Sequence, residues 1–529
     1  MYTRVYVVLQ MNRGLIHIDG HNSDLGLCWC MLTAMTSRGL PPSGRPVDRR
    51  SLAHLDPRVE IPSYDRGAVS GSIVHIGVGG FHRAHLATYV DELCASGRTE
   101  WGIIGSGVLP KDRTMAEVLH RQDGLYTLIV RGAQTTTVRV VGSILKYIHG
   151  APDPEPLIEQ LANASTRMVS LTVTEGGYPV DEVTGGFDPS KAPAGRNSAF
   201  GVIGEALVRR RNEGIGPFTV VSCDNVVSNG NVARAATLGV AEEHDPQLRN
   251  WIEGTVPFPN SMVDRITPAT TDADRDWLAA EYQISDGWPV VTEPFRQWVI
   301  EDEFVGDRAP WEEVGAIVTP DVERYELMKL RLLNAGHSCV AYLAGVAGVE
   351  YVHDAMADPL FERFLRRFLQ DEAGPALPDV PGMDIPSYQA SLIERFSNPA
   401  IRDQISRLCL DGSAKFPKFL MPTVRAQLSR QGPVELSAMA IAGWCAYLIG
   451  IADDGKPITH AHDPDLETVR EYALRSVDNP SNFIGYRPVF GEDLPRQARF
   501  VEAFERAITS IRSSGVRPTL DAFLSPRGS

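Results

Sequence analysis

This chain of 529 residues lacks the features that mark membrane proteins and disulfide-stapled domains. No apolar run approaches the roughly 18 residues that a membrane-spanning helix requires. The seven cysteines are an odd number and widely scattered. Only Cys28 and Cys30 lie close together, and no second pair is present to complete a structural zinc site. We therefore expect a protein of a reducing compartment, the cytoplasm, without disulfides.

Basic residues are also in deficit: 51 Lys and Arg stand against 66 Asp and Glu, for a net charge of -15. Nucleic acids and anionic membranes are bound through basic surfaces, so neither is an expected partner. The chain is too long for one hydrophobic core, which predicts two or three domains. The composition is typical of a globular protein, and we expect its partner to be a small molecule.

The first 48 residues differ from the rest. They carry no sustained hydrophobic periodicity and end in a turn-rich stretch from Gly39 to Pro46. We expect residues 1–48 to be a disordered extension, or to arise from a start codon placed too early. Residues 49–320 alternate predicted strands and helices, whereas residues 321–529 are largely helical in pattern. The predicted fold class is α/β: an N-terminal Rossmann-type dinucleotide-binding domain followed by a mainly α-helical C-terminal domain.

A glycine-rich turn follows the first strand of the predicted Rossmann domain. The stretch SIVHIGVGGFHRAH, residues 72–85, is a β-branched strand, a glycine turn and the start of a helix expected over Ala84 to Ser96. Gly77 suits the tight turn, and Gly79 allows a pyrophosphate to approach the backbone at the helix N-terminus. His82 replaces the usual third glycine, and a glycine turn also occurs without a ligand. The predicted cofactor-binding residues here are Ile76, Gly77, Val78, Gly79, Gly80, Phe81, His82 and Arg83. For Arg83, a solvated surface arginine is the alternative to a phosphate contact.

The second strand, Trp101 to Val108, is followed by Lys111, Asp112 and Arg113. An acidic residue after this strand hydrogen-bonds the adenosine ribose in Rossmann proteins, which favours Asp112 as a ligand of NAD. The two neighbouring basic residues can attract a 2′-phosphate. We therefore predict NAD as the cofactor and leave NADP open.

Two further predicted strands end in polar corners, where ligands of open α/β sheets bind. Thr174 and Glu175 follow the strand from Met168, and Asp224 and Asn225 follow the strand from Phe218. Capping or turn formation alone would explain any one of them. We predict that Thr174 and Glu175 contact the cofactor.

The helical half opens with an unusual helix, Tyr325 to Ala347. It is apolar nearly all round, which is typical of a buried helix, yet it carries Glu326, Lys329, Asn334 and His337. In an ideal helix, Glu326 lies at about 60° around the axis from Lys329, His337 at about 80° and Asn334 at about 140°, so all four share one side. A buried lysine with a lowered pKa can act as a general base near neutral pH. The other candidate helices are 357–371, 401–409, 420–430, 434–451 and 495–513.

Taken together, these stretches resemble the polyol-specific long-chain dehydrogenase family. The matching segments are GVGGFHRAH (77–85), TEGGY (174–178), SCDN (222–225), FPNSMVDRITP (258–268), WPVVTEPFRQWVIED (288–302), KLRLLNAGHS (329–338) and DGSAKFPKF (411–419). They occur in family order, and the similarity runs from about Arg49 to the C-terminal region.

The resemblance implies a metal-independent oxidoreductase that interconverts a polyol and its ketose, mannitol and fructose first, with NAD. It implies that Lys329 is the general base and that Asn225 and Asn334 stabilise the alkoxide. His337 would hydrogen-bond the reacting oxygen, and Glu326 would relay protons between the lysine and solvent. Asp264, Arg407 and Lys415 fall at substrate-contact positions. The family also favours a monomer. Lys111 stands where the family leads us to expect an acidic residue, which puts strict NAD preference in doubt.

Several alternatives remain at this point. The same fold and mechanism would serve arabinitol, sorbitol or a hexuronate such as fructuronate, because Arg407 and Lys415 suit hydroxyls or a carboxylate. A nicotinamide-binding sensor without catalysis would predict no turnover. A zinc alcohol dehydrogenase would lose activity with a chelator, although no zinc ligand set is evident.

Overall fold

The structure is a computed structural model that describes residues 5–11, 14–20, 44–181, 184–192 and 196–525. Within those ranges the strands are β1 Val5–Met11, β2 Gly14–Gly20, β3 Arg45–Pro46, β4 Gly71–Ile76, β5 Gly102–Gly107, β6 Tyr126–Arg131, β7 Thr136–Val141, β8 Ile144–His149, β9 Met168–Leu171, β10 Thr219–Ser222, β11 Ser261–Asp264, β12 Ile284–Ser285, β13 Val290–Thr292, β14 Gln297–Glu301 and β15 Ile317–Thr319.

The α-helices of the first half lie between and beside these strands. They are α1 Gly80–Ala84, α2 Leu86–Ala95, α3 Arg113–Arg121, α4 Glu155–Ala162, α5 Ala199–Asn212, α6 Asn229–His244, α7 Pro246–Thr255 and α8 Asp272–Tyr282. The predicted helix from Ala84 to Ser96 is therefore two helices that meet at His85.

The second half is almost entirely helical. Its α-helices are α9 Glu323–Lys329, α10 Ala335–Val346, α11 Val352–Ala357, α12 Pro359–Arg367, α13 Ile385–Phe396, α14 Ile405–Leu408, α15 Gly412–Phe419, α16 Met421–Ser429, α17 Glu435–Ile449, α18 Leu466–Arg475, α19 Ser481–Ile484, α20 Arg487–Phe490, α21 Ala498–Ser514 and α22 Val516–Leu524. π-Helical turns at Leu330–Asn334 and Phe368–Ala373 extend α9 and α12. None of the described helices is both long and apolar enough to cross a membrane.

A five-stranded parallel sheet organises the N-terminal half, in the order β10-β9-β4-β5-β8. Four of its strands, β4, β5, β9 and β10, are buried on both faces, as expected where helices cover a parallel sheet, and the edge strand β8 is partly exposed. The chain runs from β4 outward to β5 and β8, then returns to place β9 on the other side of β4. This reversal is a topological switch point, the usual ligand-binding crevice of such sheets.

The rest of the protein packs around this sheet. Two smaller three-stranded sheets, β13-β6-β7 and β11-β14-β15, lie in the N-terminal half. The helical half has its own core, centred on the predominantly apolar α17 and on α10 and α21. The predicted α/β fold class is confirmed.

The predicted extension, residues 1–48, is only partly covered. Residues 1–4, 12–13 and 21–43 lie outside the described residues, Cys28 and Cys30 among them. The described part contains the antiparallel pair β1 and β2, and Arg45–Pro46 pairs in parallel with β12. Regular backbone pairing thus occurs before residue 49.

Candidate active site

The glycine turn lies at the switch point, at the carboxyl end of β4. Gly77 has a φ of +98°, and a Cβ at this position would meet the carbonyl oxygen of Thr172 at 2.2 Å, so the turn requires glycine. The Thr172 hydroxyl donates to the Gly77 carbonyl at 2.7 Å and ties the turn to the segment after β9. The predicted tight turn is in place.

This turn opens onto a cleft of about 880 Å³ between the sheet and the helical half. A Cβ added at Gly79 or Gly80 would meet no protein atom closer than 3.7 Å, so both positions leave room beside the α1 N-terminus. The imidazole of His82 is fully buried at the cleft wall, where it stacks on His75 with ring centroids 3.4 Å apart. Among the described residues, neither of its ring nitrogens has a hydrogen-bond partner. The open backbone cradle fits a dinucleotide better than it fits a merely structural turn.

The predicted site residues divide into two groups. Those that line the cleft are Gly77, Gly79, Gly80, Phe81, His82, Thr174, Glu175, Asn225, Asp264, Lys329, Asn334, His337, Arg407 and Lys415. Those that do not are Ile76, Val78, Arg83, Asp112 and Glu326.

Arg83 is the clearest correction. Its guanidinium is 1% exposed, donates to the carbonyls of Trp288 and Gly79, and lies over the Tyr126 ring. It therefore fastens α1 to the β13 region and is directed away from the cleft. Neither the predicted phosphate contact nor the solvated alternative describes it.

Ile76 and Val78 are buried beside the turn, and their side chains pack in the core. Asp112 lies just beyond the end of β5, where its carboxylate accepts from the backbone N–H of Leu109 at 2.9 Å. A Cβ at Gly107 would meet that carboxylate at 2.5 Å, which places Asp112 over the end of the strand. Lys111 beside it is exposed. The geometry leaves both residues available to an adenosine ribose outside the cleft.

Asp224 organises the polar corners that follow β9 and β10. Its carboxylate accepts from the backbone N–H groups of Val173 and Thr174, both at 2.9 Å, and from the Tyr178 hydroxyl at 2.6 Å. Thr174 is held at a φ of +66°, an unfavourable backbone conformation for a β-branched residue. The neighbouring Asn225 is thereby presented to the cleft.

The helix that carries Lys329 departs from the ideal period. Between Lys329 and Asn334 the backbone forms a π-turn, in which the N–H of Ala335 bonds the carbonyl of Leu330, five residues earlier. A π-turn holds more residues than an α-turn, so Asn334 lies nearer to the Lys329 side than in a regular helix. The angle of about 140° expected for a regular helix is therefore too large. π-Turns of this kind occur frequently at functional sites.

Lys329 and Asn225 form the centre of the cleft. The Lys329 ammonium donates to the Asn225 side-chain carbonyl, and the lysine is only 7% exposed. Burial lowers the pKa of Lys329, and Arg395 lowers it further, while Asp264 and Glu326 oppose the shift. With its Oδ1 accepting from the lysine, Asn225 presents its NH2 group as a hydrogen-bond donor to a ligand.

Glu326 lies behind the lysine, one helical turn earlier. It lines a second cavity of about 890 Å³ that meets the cleft at Lys329 and Asn225. Its carboxylate accepts from the backbone N–H of Ser228 at 3.1 Å. Burial raises the pKa of Glu326 to about 7, against the opposing effects of that hydrogen bond and of Lys329. A carboxyl with this pKa exchanges protons at neutral pH.

One part of the cleft is lined by charged residues of the helical half. Arg407 forms an ion pair with Asp403 at 2.6 Å. Burial lowers the pKa of Lys415, whose ammonium reaches the Leu408 carbonyl at 3.4 Å. Asp264 lies opposite, at the end of β11, and is held by Arg395.

Sequence reasoning missed three residues of this environment: Arg395, Glu293 and Phe396. Arg395 and Phe396 end α13, a helix absent from the predicted set. Glu293 stands within the quoted segment WPVVTEPFRQWVIED but received no role. No local signal identifies them, because their partners are 27 to 131 positions away along the chain.

Comparisons with known proteins agree with this geometry. The mannitol dehydrogenase Rossmann domain model matches residues 71–313, and the mannitol dehydrogenase C-terminal domain model matches residues 321–512. The mannitol 2-dehydrogenase of Pyricularia oryzae is 42% identical over 487 residues, covering 89% of this chain and 97% of the relative. That of Aspergillus fumigatus is 42% identical over 482 residues, covering 88% and 96%.

Two solved structures are similar over nearly their whole length. One is the Pseudomonas fluorescens mannitol 2-dehydrogenase ternary complex with NAD and D-mannitol, with a TM-score of 0.81, 41% identity, and coverage of 91% of this chain and 99% of that chain. The other is a substrate-free D-sorbitol dehydrogenase, with a TM-score of 0.83, 35% identity, and coverage of 90% and 100%.

Proposed function

This chain belongs to the mannitol dehydrogenase family, and we propose that it interconverts D-mannitol and D-fructose with NAD. The observation that carries the proposal is the buried ammonium of Lys329, bonded to Asn225 at the switch-point cleft. The relatives named mannitol 2-dehydrogenase support the substrate, and the solved complex with NAD and D-mannitol supports the cofactor.

The side chains of the cleft suit alcohol oxidation. Bound NAD would accept the hydride from the carbinol carbon. Lys329, whose pKa is lowered by burial, takes the proton of the reacting hydroxyl. The NH2 groups of Asn225 and Asn334 donate to the oxygen while negative charge develops on it. His337, whose pKa burial lowers to about 3, is neutral and hydrogen-bonds the same oxygen without competing for the proton.

The proton leaves the lysine through Glu326. The carboxyl borders the second cavity, and the lysine borders both cavities. With a pKa near 7, Glu326 can accept the proton and release it to water on that side. Asp264, Arg407 and Lys415 bind the remaining hydroxyls of the polyol.

Gly77, Gly79, Gly80, Phe81, His82, Thr174 and Glu175 would hold the cofactor within the cleft. Asp112 and Lys111 would meet the adenosine ribose. A monomeric state and a cytoplasmic location are further parts of the proposal.

D-sorbitol is a second candidate substrate, because a D-sorbitol dehydrogenase has the same fold at 35% identity. Arabinitol and the hexuronates use the same chemistry, and the cationic end of the cleft suits either a hydroxyl or a carboxylate.

The test is reduced-nicotinamide formation by the purified protein. Mannitol, arabinitol, sorbitol and mannonate are each supplied with NAD and with NADP, in the presence and absence of a chelator. Chelator-insensitive oxidation dominated by mannitol with NAD is expected. A preference for mannonate would assign the enzyme to sugar-acid metabolism. Loss of activity with the chelator would contradict the lysine mechanism. No turnover with any substrate would indicate a nicotinamide-binding sensor.

A further inference from the structure

A buried guanidinium joins the two halves of the protein behind the reaction centre. Arg395, at the end of α13, donates to both oxygens of Asp264 at 2.9 Å. It also donates to both oxygens of Glu293, at 2.8 and 2.9 Å. The side chains of Arg395, Asp264 and Glu293 are only 6%, 4% and 2% exposed.

The arrangement is rigid. The guanidinium lies 4.0 Å from the centre of the Phe295 ring, and its donors are shared between two bidentate contacts. Glu293 also accepts from the backbone N–H of Ile266 at 2.6 Å. It therefore fixes the segment after Asp264, where Ile266 and Thr267 line the cleft.

The charges of the cluster act on one another and on their surroundings. Two buried carboxylates share the Arg395 guanidinium, and the buried guanidinium of Arg265 donates to the backbone carbonyl of Glu293. Burial by itself would raise the pKa of Asp264, but Arg395 and Lys329 hold it below its ordinary value. The charge of Asp264 in turn favours the ammonium form of Lys329, and the charge of Arg395 opposes it.

We propose that Glu293 and Arg395 are positioning residues of the reaction centre: Arg395 holds Asp264 as an ionised acceptor, and Glu293 offsets the positive charge that Arg395 would otherwise direct at Lys329. The inference rests on the proposed function, in which Lys329 is the base. The groups that act on this lysine are Asp264 from β11, Arg395 from α13, Glu326 from its own helix and Asn225 by hydrogen bond.

As a consequence, the cluster adjusts the proton affinity of Lys329. Without the Glu293 carboxylate, the charge of Arg395 would be less compensated, and the Lys329 ammonium would release its proton at lower pH. With it, the lysine retains enough basicity to take the proton of an alcohol.

Glu293→Gln tests this idea, because it removes the charge with little change in shape. We expect the acid limb of kcat/KM for polyol oxidation to move to lower pH by about one unit. The pH-independent kcat/KM above the limb should fall by up to about tenfold, because a less basic lysine is a weaker proton acceptor. The matched control is Glu372→Gln, the same change at a fully buried carboxylate that caps α17. The limb should not move in the control.

Arg395→Lys separates geometry from charge. It keeps the positive charge but loses the bidentate contacts, so the limb should stay in place while KM for the polyol rises. Arg395→Lys also tests the proposal if Glu293→Gln does not fold, because an unchanged KM for the polyol in Arg395→Lys would overturn the positioning role.

A measurement that does not require turnover distinguishes a failure of this proposal from a failure of the proposed function. The pH dependence of Lys329 acetylation by acetic anhydride, followed by mass spectrometry, reports the proton affinity of the lysine directly. Its midpoint should fall in Glu293→Gln. An unmoved midpoint overturns the proposal even if mannitol is oxidised, whereas wild-type protein inert towards every polyol overturns only the function.

Discussion

The imidazole of His337 lies flat on the ring of Phe396, with ring centroids 3.9 Å apart and planes inclined by 11°. Arg395, the residue before Phe396, holds Asp264. Two consecutive residues at the end of α13 therefore support two different walls of the cleft. The helical half supplies the proposed base, Lys329, and also fixes the orientation of the groups around it.

Phe396→Leu should weaken catalysis without unfolding the protein. The substitution keeps an apolar side chain but removes the stacked ring, so His337 gains freedom to turn. Stacked pairs of this kind contribute about 0.5–1.5 kcal/mol, which predicts a fall in kcat/KM of about 2- to 10-fold. Phe364→Leu, at a fully buried phenylalanine in the same domain, is the control. An equal fall in both variants would mean general loosening of the core.

Lys329→Ala should abolish most polyol oxidation while leaving NAD affinity nearly unchanged. General bases typically contribute about 100- to 10,000-fold in rate, so a loss of at least about a hundredfold is expected. Steady-state rates and cofactor titration by fluorescence measure the two effects separately. Lys456→Ala, at an exposed lysine paired with Asp454, is the control. A parallel loss of cofactor affinity would identify Lys329 as a structural residue.

Much of the architecture was predictable, because it follows from local patterns. The glycine turn at Gly77, the strand-end corner at Asn225 and the buried polar helix around Lys329 each have a signature within a few residues. Parallel strands place their carboxyl ends at one edge of the sheet, so these separate signals converge on one cleft.

The remainder depends on interactions that local periodicity does not contain. The π-turn that brings Asn334 beside Lys329 is a single i→i+5 irregularity in an otherwise regular helix. Arg83 stands next to the glycine turn as a phosphate-binding residue would, yet its donors are used by backbone carbonyls of the fold. Arg395 finds its partners only through tertiary contact between the two halves.

Lys111→Glu should raise the preference for NAD over NADP. Lys111 is exposed beside Asp112 at the end of β5, where a second carboxylate would repel a 2′-phosphate. The ratio of kcat/KM values for the two cofactors measures the change. Arg113→Glu is a useful comparison, because Arg113 is already paired with Glu117 at 3.0 Å. An unchanged ratio in Lys111→Glu would exclude that lysine from the ribose site.

Glu372 should make the protein less stable as pH rises through neutrality. The carboxyl is fully buried without a cation, accepts from the backbone N–H groups of Leu436 and Ser437, and has its pKa raised by burial to about 7. The folded state binds this proton more tightly than the unfolded state, whose carboxyl keeps the ordinary value of 4.5. The stabilisation is therefore complete below about pH 4.5 and is lost as pH rises through about 7, a change of about 3 kcal/mol.

Glutamine resembles the protonated carboxyl and does not titrate, so Glu372→Gln should remove this component. Unfolding by urea from pH 5 to 8 would measure it as the difference in slope between wild type and variant. The difference is needed because burial also raises the pKa of Glu326 to about 7, which gives the wild-type protein a second contribution in the same window. Identical slopes would mean that Glu372 is already ionised in the folded protein, with the N-terminus of α17 and the Ser437 hydroxyl sufficient to stabilise its charge.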